Sequence, residues 1–223
     1  MTGALRPGVL FDVDGTLLDS NYLHAVAWVQ AFHDTGHPDV PSRDIHRSIG
    51  LSSGLLTEHL LGEESQATVD AHADRFAALR HLVVATRGAG DLLRWCAGHG
   101  LVPVLATSGA AADLDWMLPA IGAGNAVGGA VSTADVERSK PAPEMFAVAM
   151  EKHRLDPRAT AVVGDTTWDV GSAQRAGLPC LTVTCGGISA SELKDAGAAQ
   201  VYDDPQQLLA QVDDSVLARL AAG

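Results

Sequence analysis

Two aspartates stand two residues apart directly after an apolar run, in the segment VLFDVDGTLLDS. The carboxylates of Asp12 and Asp14 repel each other at this spacing, and neither can be buried unpaired without a large desolvation cost. A cation against both would make the pair tolerable. One carboxylate could then act as a nucleophile while the other transfers a proton. The pair is therefore a candidate for catalysis rather than for packing.

Further polar side chains follow other apolar segments. Asp165 ends AVVGD, Asp169 lies one helical turn later, and Thr107 and Ser108 end LVPVLATS. The carboxyl ends of parallel strands form a ligand crevice, so we expect these groups at one edge of a sheet. A helix cap or a turn would explain any single aspartate, but not the whole set. Clustered carboxylates need cations, and Mg²⁺ prefers such oxygen ligands.

Two features could bind a phosphate beside that cation. Lys140 precedes a predicted helix and is one of only three lysines, against twelve arginines. Its ammonium group suits a phosphoryl oxygen and a neighbouring aspartate. Thr107, Ser108 and Gly109 offer a hydroxyl and backbone N–H groups at a strand end. Each feature alone is common on protein surfaces, and only the combination indicates a phosphate site.

The elements that must position these groups follow an α/β pattern. Residues 8–14 are predicted to form a buried strand, and from about residue 87 helices alternate with short apolar strands. The predicted strands are 101–108, 126–132, 160–165, 179–184 and 199–202, and the last predicted helix is 205–221. This alternation is typical of a doubly wound, mainly parallel, Rossmann-like sheet.

Residues 20 to about 85 show helical spacing and no strand pattern, with Ser20 as the expected cap of the first helix. We therefore expect a Rossmann-like core of residues 1–18 and 86–223, interrupted by a helical cap of residues 19–85.

The composition excludes several classes of function. The chain has 223 residues, 47% of them apolar and 19% charged, which is typical of a globular protein. A net charge of −12 argues against nucleic acids and anionic membranes as partners. The amino terminus has no apolar signal core, no long apolar run occurs, and the three cysteines form no C-x-x-C pair. We expect a cytoplasmic monomer or homodimer that binds a small phosphorylated metabolite.

Four segments, taken in order, resemble the haloacid dehalogenase-like superfamily of phosphohydrolases. They are DVDGT at residues 12–16, Thr107, Lys140 in KPAP, and GDTTWD at residues 164–169. The resemblance covers essentially the whole chain. The helical insert is similar to the small cap of phosphoglycolate-phosphatase-like and β-phosphoglucomutase-like enzymes. The resemblance implies a Mg²⁺-dependent phosphatase that acts on a small organic phosphate monoester.

The resemblance also implies a role for each matching residue. Asp12 would attack phosphorus and form an aspartyl-phosphate. Asp14 would protonate the leaving alcohol and then activate water. Thr107 would bind phosphoryl oxygens, and Lys140 would neutralise charge on Asp12 and the phosphoryl group. The Mg²⁺ ligands would be Asp12, the main-chain carbonyl of Asp14, Asp165 and, directly or through water, Asp169.

Other residues are expected to line the substrate site. In the core these are Gly15, Thr16, Ser108 and Gly109, and in the cap they are Tyr22, Arg47, Ser52 and Ser53, with Asp19 and His46 as further candidates. Trp168 is expected to pack against the core or to shape the wall of the site.

Two other functions remain open from the sequence. In a β-phosphoglucomutase-like enzyme an arginine follows a Gly-x-Ser in the cap; here Ser53 stands at that place, although Arg47 could still reach the site. A non-catalytic phosphoacceptor, similar to a receiver domain, would need neither the second aspartate nor a cap. A phosphonatase would need a cap lysine, and residues 20–85 contain none.

Seven of the nine histidines lie between His24 and His81. No two of them have a convincing metal-ligand spacing, so we expect solvated histidines on helix surfaces.

Overall fold

The computed structural model describes residues 4–222, so residues 1–3 and 223 of the predicted core lie outside the described residues. The strands are β1 (Arg6–Phe11), β2 (Leu18–Asp19), β3 (Val84–Ala85), β4 (Val102–Ala106), β5 (Gly129–Val131), β6 (Leu155–Gly164), β7 (Cys180–Val183) and β8 (Gln200–Tyr202). The helices are α1 (Asn21–Asp34), α2 (Ser42–Ser48), α3 (Ser53–Leu61), α4 (Gln66–Leu79), α5 (Ala89–Gly98), α6 (Leu114–Ile121), α7 (Glu144–His153), α8 (Thr167–Arg175), α9 (Ala190–Asp195), α10 (Pro205–Ala210) and α11 (Val216–Ala221). Within the described part of the chain, no helix has the length and apolar character needed to cross a membrane.

Six of the strands form one sheet in the order β5-β4-β1-β6-β7-β8, and every neighbouring pair is parallel. The chain moves outward from β1 through β4 to β5, then crosses to β6 and continues outward to β8. The direction of winding therefore reverses around β1, and a crevice forms at the carboxyl ends of the central strands. The predicted doubly wound, Rossmann-like fold is confirmed.

Both faces of the sheet are buried, which explains why its strands are almost continuously apolar. Successive side chains of β1 alternate between the faces. Val9 and Phe11 pack on one side in a cluster that includes Leu92 of α5. Leu10 packs on the other side with Phe146 of α7. Helices on both faces hold the end of β1 rigidly at the centre of the molecule.

The helical insert has an apolar core of its own. Helices α1 to α4 follow β2 in the chain, and their packing centres on Trp28, Phe32, Ile45 and Leu56. These four side chains are almost completely buried. The predicted helices of the insert are present. The division of the chain into two domains at residues 19 and 85 stays a prediction.

A short ribbon at the base of the insert was not predicted. Strand β2 pairs antiparallel with β3, with Leu18 opposite Ala85 and Asp19 opposite Val84. The pattern of the sequence places Val84 at the end of a helix, which is wrong. Strands of two residues are too short to show an alternating pattern, so sequence periodicity could not detect them. The ribbon brings the two ends of the insert together beside the end of β1.

The predicted helix 205–221 is also wrong, because the structure has two shorter helices, α10 and α11. A 3-10 turn, Val212–Asp214, separates them. The hydroxyl of Ser215 caps the second helix by accepting hydrogen bonds from the N–H groups of Leu217 at 3.1 Å and Ala218 at 3.4 Å. A serine in this position starts a new helix rather than continuing the old one.

Candidate active site

Asp12 immediately follows β1 and is 4% exposed. Its N–H donates to the carbonyl of Val163 in β6 at 2.9 Å, which continues the sheet as far as this residue. Its carboxylate contacts Nζ of Lys140. The pKa of Asp12 is raised to about 7, mainly by burial; Lys140 opposes this increase and Asp169 adds to it. The ionised state of Asp12 therefore depends on the positive charge placed against it.

Lys140 lies in the loop before α7 and is fully buried. Besides Asp12, its Nζ contacts Oδ1 of Asp169 at 2.8 Å. Burial alone would lower the pKa of Lys140, but the two aspartates outweigh that effect and raise it. A charged lysine is thus held beneath two carboxylates, where truncation would leave buried charges unpaired.

Asp169 occupies the first turn of α8 and has two structural contacts. Its Oδ2 accepts hydrogen bonds from the hydroxyl of Thr166 at 2.6 Å and from the N–H of Thr166 at 3.1 Å. The hydroxyl of Thr166 also accepts from the N–H of Asp169, which completes a capping box. Asp169 therefore does cap the start of a helix, which is the role that any single aspartate of this set could have had. Its other oxygen contacts Lys140 as well.

Asp165 lies at the end of β6, fully buried. Its two oxygens accept from the hydroxyl of Thr16 at 3.0 Å and from Nδ2 of Asn21 at 2.8 Å. Burial raises the pKa of Asp165 well above its ordinary range, and the charges of Asp12 and Asp169 raise it further. These hydrogen bonds fix the orientation of the carboxylate but do not supply the positive charge that it lacks.

The three buried carboxylates of Asp12, Asp165 and Asp169 each place an oxygen within 4.8 Å of the others. One lysine cannot neutralise three such groups, and an oxygen-only ligand set suits a hard divalent cation. Oδ1 of Asn21 is buried there with no hydrogen-bond partner among the described residues. A Cβ atom at Gly186 would overlap the carboxylate of Asp165, so the chain leaves space against it. The residues present therefore fit Mg²⁺.

The carboxylate of Asp14 points away from this cluster, toward the insert. Its Oδ1 accepts from the hydroxyl of Ser20 at 2.6 Å and lies 3.2 Å from Nε2 of His24. Burial would raise the pKa of Asp14, but the contacts with His24 and Ser20 outweigh it and lower the pKa. Ser20 occupies the predicted N-cap position of α1, but its hydroxyl makes no cap hydrogen bond and binds Asp14 instead. The two aspartates of the motif thus have separate environments.

A pair of histidines, His24 partly buried and His72 buried, continues from Asp14 into the insert. Nδ1 of His24 lies 3.2 Å from Nε2 of His72, whose ring stacks on Trp28 with a centroid distance of 3.8 Å. Burial lowers the pKa of His72 to about 2, and His24 contributes to that decrease. The expectation of solvated histidines on helix surfaces is therefore wrong for His24 and His72. The pattern missed them because they lie on different helices that only tertiary packing brings together.

The predicted phosphate-binding residues separate into two groups. Thr107 is fully buried, and its hydroxyl accepts from the N–H of Gly109 at 3.0 Å. Ser108 and Gly109 line a cavity above the two motif aspartates. Gly15 forms a turn with a φ of 80°, where a Cβ atom would overlap Asn21 and Asp165. Thr16, fully buried, donates to Asp165 as described above and does not line that cavity.

The predicted cap residues do not all face the cavity. Ser53 lines it, whereas Ser52 lines a separate depression beside Val136. Tyr22 is 57% exposed and stacks on the ring of His46. Arg47 forms an ion pair with Glu192 of α9 at 2.7 Å, with half of its side chain in solvent. The side chain of Asp19 is exposed on β2.

Polar contacts close the insert onto the core. The hydroxyl of Ser108 donates to the carbonyl of Gly50 at 2.8 Å, and Nε1 of Trp168 donates to the carbonyl of Arg47 at 2.9 Å. Nε2 of His46 lies 3.0 Å from the carbonyl of Gly186. Trp168, expected against the core or at the wall of the site, packs on the apolar cluster of the insert. The loop between α2 and α3 is therefore held over the end of the sheet.

A cavity of about 60 Å³ lies between the insert and the core. Asp12 and Asp14 lie at its floor, and Trp28, Leu51, Ser53 and Leu56 of the insert lie among the residues that cover it. Any ester whose phosphorus approaches Asp12 would place its leaving group against these side chains. Three further residues of this region, Asn21, His24 and His72, were not assigned to the site from the sequence. Only the position of Asn21, next to the motif in the chain, could have drawn attention to it.

The neutral state of buried His72 makes a testable contribution to stability. In the unfolded chain this histidine takes up a proton near its ordinary pKa of 6.5, whereas in the folded protein its pKa is about 2. Below pH 6.5 the unfolded state therefore binds the extra proton, and stability falls by up to about 1.4 kcal/mol per pH unit. Between about pH 7 and pH 5, the free energy of unfolding measured in urea should fall less steeply with decreasing pH for His72→Gln than for the natural chain.

His33, exposed at the end of α1, provides the control. His33→Gln should keep the pH dependence of the natural chain. If the free energy of unfolding depended on pH equally in all three proteins, the assignment of a neutral, buried His72 would be contradicted.

Comparison with known proteins agrees with this geometry. Residues 9–183 match the family model of the haloacid dehalogenase-like hydrolases. The probable phosphatase IndB of Dickeya dadantii is 30% identical over 207 residues, which cover 89% of this chain and 90% of that protein. A phosphoglycolate phosphatase of Pseudomonas putida is 27% identical, with 93% of this chain and 80% of that protein covered.

A solved structure of a hydrolase from Pseudomonas syringae has 33% sequence identity and a TM-score of 0.87, covering 94% of this chain and 98% of that one. The family resemblance of the motifs is thus confirmed over most of the chain, together with the fold. This chain belongs to the haloacid dehalogenase-like hydrolase family and is a hydrolytic enzyme.

Proposed function

We propose that the chain is a Mg²⁺-dependent phosphatase that hydrolyses a small organic phosphate monoester through an aspartyl-phosphate on Asp12. The observation that carries this proposal is the arrangement at the end of β1. Asp12 lines the cavity between the insert and the core with Lys140 against it, and Asp14 lines the same cavity with its own partners, Ser20 and His24. The phosphatase names of the relatives from Dickeya dadantii and Pseudomonas putida support the same reaction.

The reaction has two halves. In the first, an oxygen of Asp12 attacks phosphorus, the bond between phosphorus and the alcohol oxygen breaks, and that oxygen takes a proton from Asp14. In the second, Asp14 takes a proton from a water molecule whose oxygen attacks phosphorus, and the bond to Asp12 breaks to release inorganic phosphate. The contacts that lower the pKa of Asp14 favour the ionised form needed in the second half.

A metal ion would complete the charge balance of the site. Bound Mg²⁺ would stabilise the negative charge that develops on the phosphoryl oxygens. Asp12, Asp165 and Asp169 are the carboxylates that would hold it, with Thr16 and Asn21 fixing the orientation of Asp165. Because the side chain of Asp14 faces the insert, its share in the metal site would come from its main-chain carbonyl.

The insert favours a phosphatase over a phosphosugar mutase. A mutase of the β-phosphoglucomutase type would need an arginine to hold a second phosphate, and Ser53 occupies that position. Arg47, the other candidate, is paired with Glu192. A phosphoacceptor without catalysis would leave the contacts of Asp14 unused. The expected partner is a small phosphorylated metabolite, and the acidic chain is expected to bind neither nucleic acid nor membranes, as a cytoplasmic monomer or homodimer.

Replacement of the nucleophile tests the mechanism. Asp12→Asn keeps the size of the side chain but removes the oxygen that attacks phosphorus, so hydrolysis of an aryl phosphate with Mg²⁺ should be abolished. Asp213→Asn, at an exposed aspartate far along the chain, is the matched control and should retain full activity. Undiminished hydrolysis by Asp12→Asn, or by the natural chain in excess chelator, would contradict the mechanism.

Replacement of Asp14 tests the proton transfers. With an alkyl ester, whose alcohol needs a proton in order to leave, Asp14→Asn should lower kcat by about 10²–10⁴-fold. With a p-nitrophenyl ester, which needs no such proton, the first half should be spared and the aspartyl-phosphate should accumulate. Rapid-quench measurement of both half-reactions distinguishes these cases. An equal loss in both halves with the p-nitrophenyl ester would argue against acid–base transfer by Asp14.

A further inference from the structure

The walls of the cavity are mostly apolar where the leaving group must lie. Trp28, Leu51 and Leu56 of the insert face the two motif aspartates across the cavity, and all three are less than one-tenth exposed. Ile49 lines the same space. Hydroxyl groups come from Ser53 and Ser108, so the lining can accept a hydroxylated molecule but offers mainly apolar contact.

Within residues 4–222, no lysine or arginine lines this cavity. The nearby cations already have partners. Lys140 lies beneath Asp12 and contacts Asp169 as well, and Arg47 pairs with Glu192 outside the cavity.

The two histidines that line the cavity, His24 and His72, also have partners within the protein. One ring nitrogen of His24 contacts Asp14, and the other contacts His72. Neither nitrogen of His24 is left to bind a substrate. The imidazole of His72 is neutral and stacks on Trp28. Both ring nitrogens of His24 are therefore taken up by contacts within the protein and are not available to an anionic leaving group.

A leaving group with its own negative charge would be poorly accommodated here. Its carboxylate would lose water against apolar walls, with no lysine or arginine among the described lining residues in return. Asp165 and Asp169, two of the three carboxylates that would hold Mg²⁺, do not line the cavity. The amino end of α3, at Ser53, favours negative charge, but its partial charge is weaker than a paired side chain.

We propose that this site selects phosphate monoesters of uncharged alcohols that have an apolar face. Esters with a carboxylate or a second phosphate close to the scissile bond are discriminated against. The inference rests on the proposed phosphatase activity and specifies its substrate class. The inference predicts that this chain disfavours phosphoglycolate, the substrate named for the Pseudomonas putida relative, because the carboxylate of phosphoglycolate lies next to the ester carbon.

A matched pair of substrates tests the proposal without changing the protein. Phosphoglycolate and its amide, phosphoglycolamide, have nearly the same shape and differ in the negative charge. With the natural chain and Mg²⁺, kcat/KM should be at least about tenfold higher for the amide. Equal values, or a preference for the acid, would overturn the proposed selectivity while leaving the phosphatase activity established. Absence of hydrolysis of these and of aryl and alkyl phosphates by folded protein would overturn the phosphatase proposal and this inference with it.

A charge placed in the cavity provides the second test. Ser53→Arg should raise the ratio of kcat/KM for the acid to that for the amide by about tenfold, because it adds the missing cation where the leaving group lies. Ala67→Arg adds the same charge to an exposed position on α4 and should leave the ratio unchanged. An unchanged ratio in folded Ser53→Arg, checked by circular dichroism, would contradict the placement of the leaving group. If Ser53→Arg does not fold, the substrate pair with the natural chain decides alone.

Discussion

The buried contact of Lys140 with Asp12 and Asp169 is the interaction on which the rest of the site depends. It gathers side chains from the ends of β1 and the start of α8 around one ammonium group. A fully buried lysine is tolerated only because two carboxylates contact its ammonium group, and a buried carboxylate on Asp12 is tolerated only beside a cation. With Asp165 added, the negative charges outnumber the positive one, and the remaining imbalance is what makes the cluster a site for a divalent cation.

The helical insert supplies what the sheet cannot. The core brings the nucleophile and the cation cluster together, but the partners of Asp14 come from the segment that leads into the insert and from the insert itself. Ser20 and His24 hold its carboxylate, and Asn21 reaches back to Asp165. Formation of α1 therefore determines the surroundings of Asp14 and of Asp165. The residues that line the cavity and the partners of Asp14 thus come from the same helices.

The sequence predicts the core part of the site because its aspartates follow short apolar strands and Lys140 precedes a predicted helix. Asp12, Asp165 and Lys140 need only the parallel order of the strands to converge, and the motif order resembles that of the family. The contacts of the insert could not be predicted in this way. His24 and His72 lie far apart in the chain, and Ser20 has the pattern of a helix cap while its hydroxyl binds Asp14. Helical periodicity identifies which face is buried, but not which partner it meets.

Binding of Mg²⁺ to the protein without substrate tests most directly the claim that the carboxylate cluster requires a divalent cation. Isothermal titration calorimetry of the natural chain should show saturable binding at millimolar Mg²⁺ or below, accompanied by a higher Tm. Asp165→Asn keeps the shape of a buried side chain but removes its charge, so it should bind Mg²⁺ at least about tenfold more weakly. Saturable binding of equal strength in both proteins, or none in the natural chain, would contradict the account.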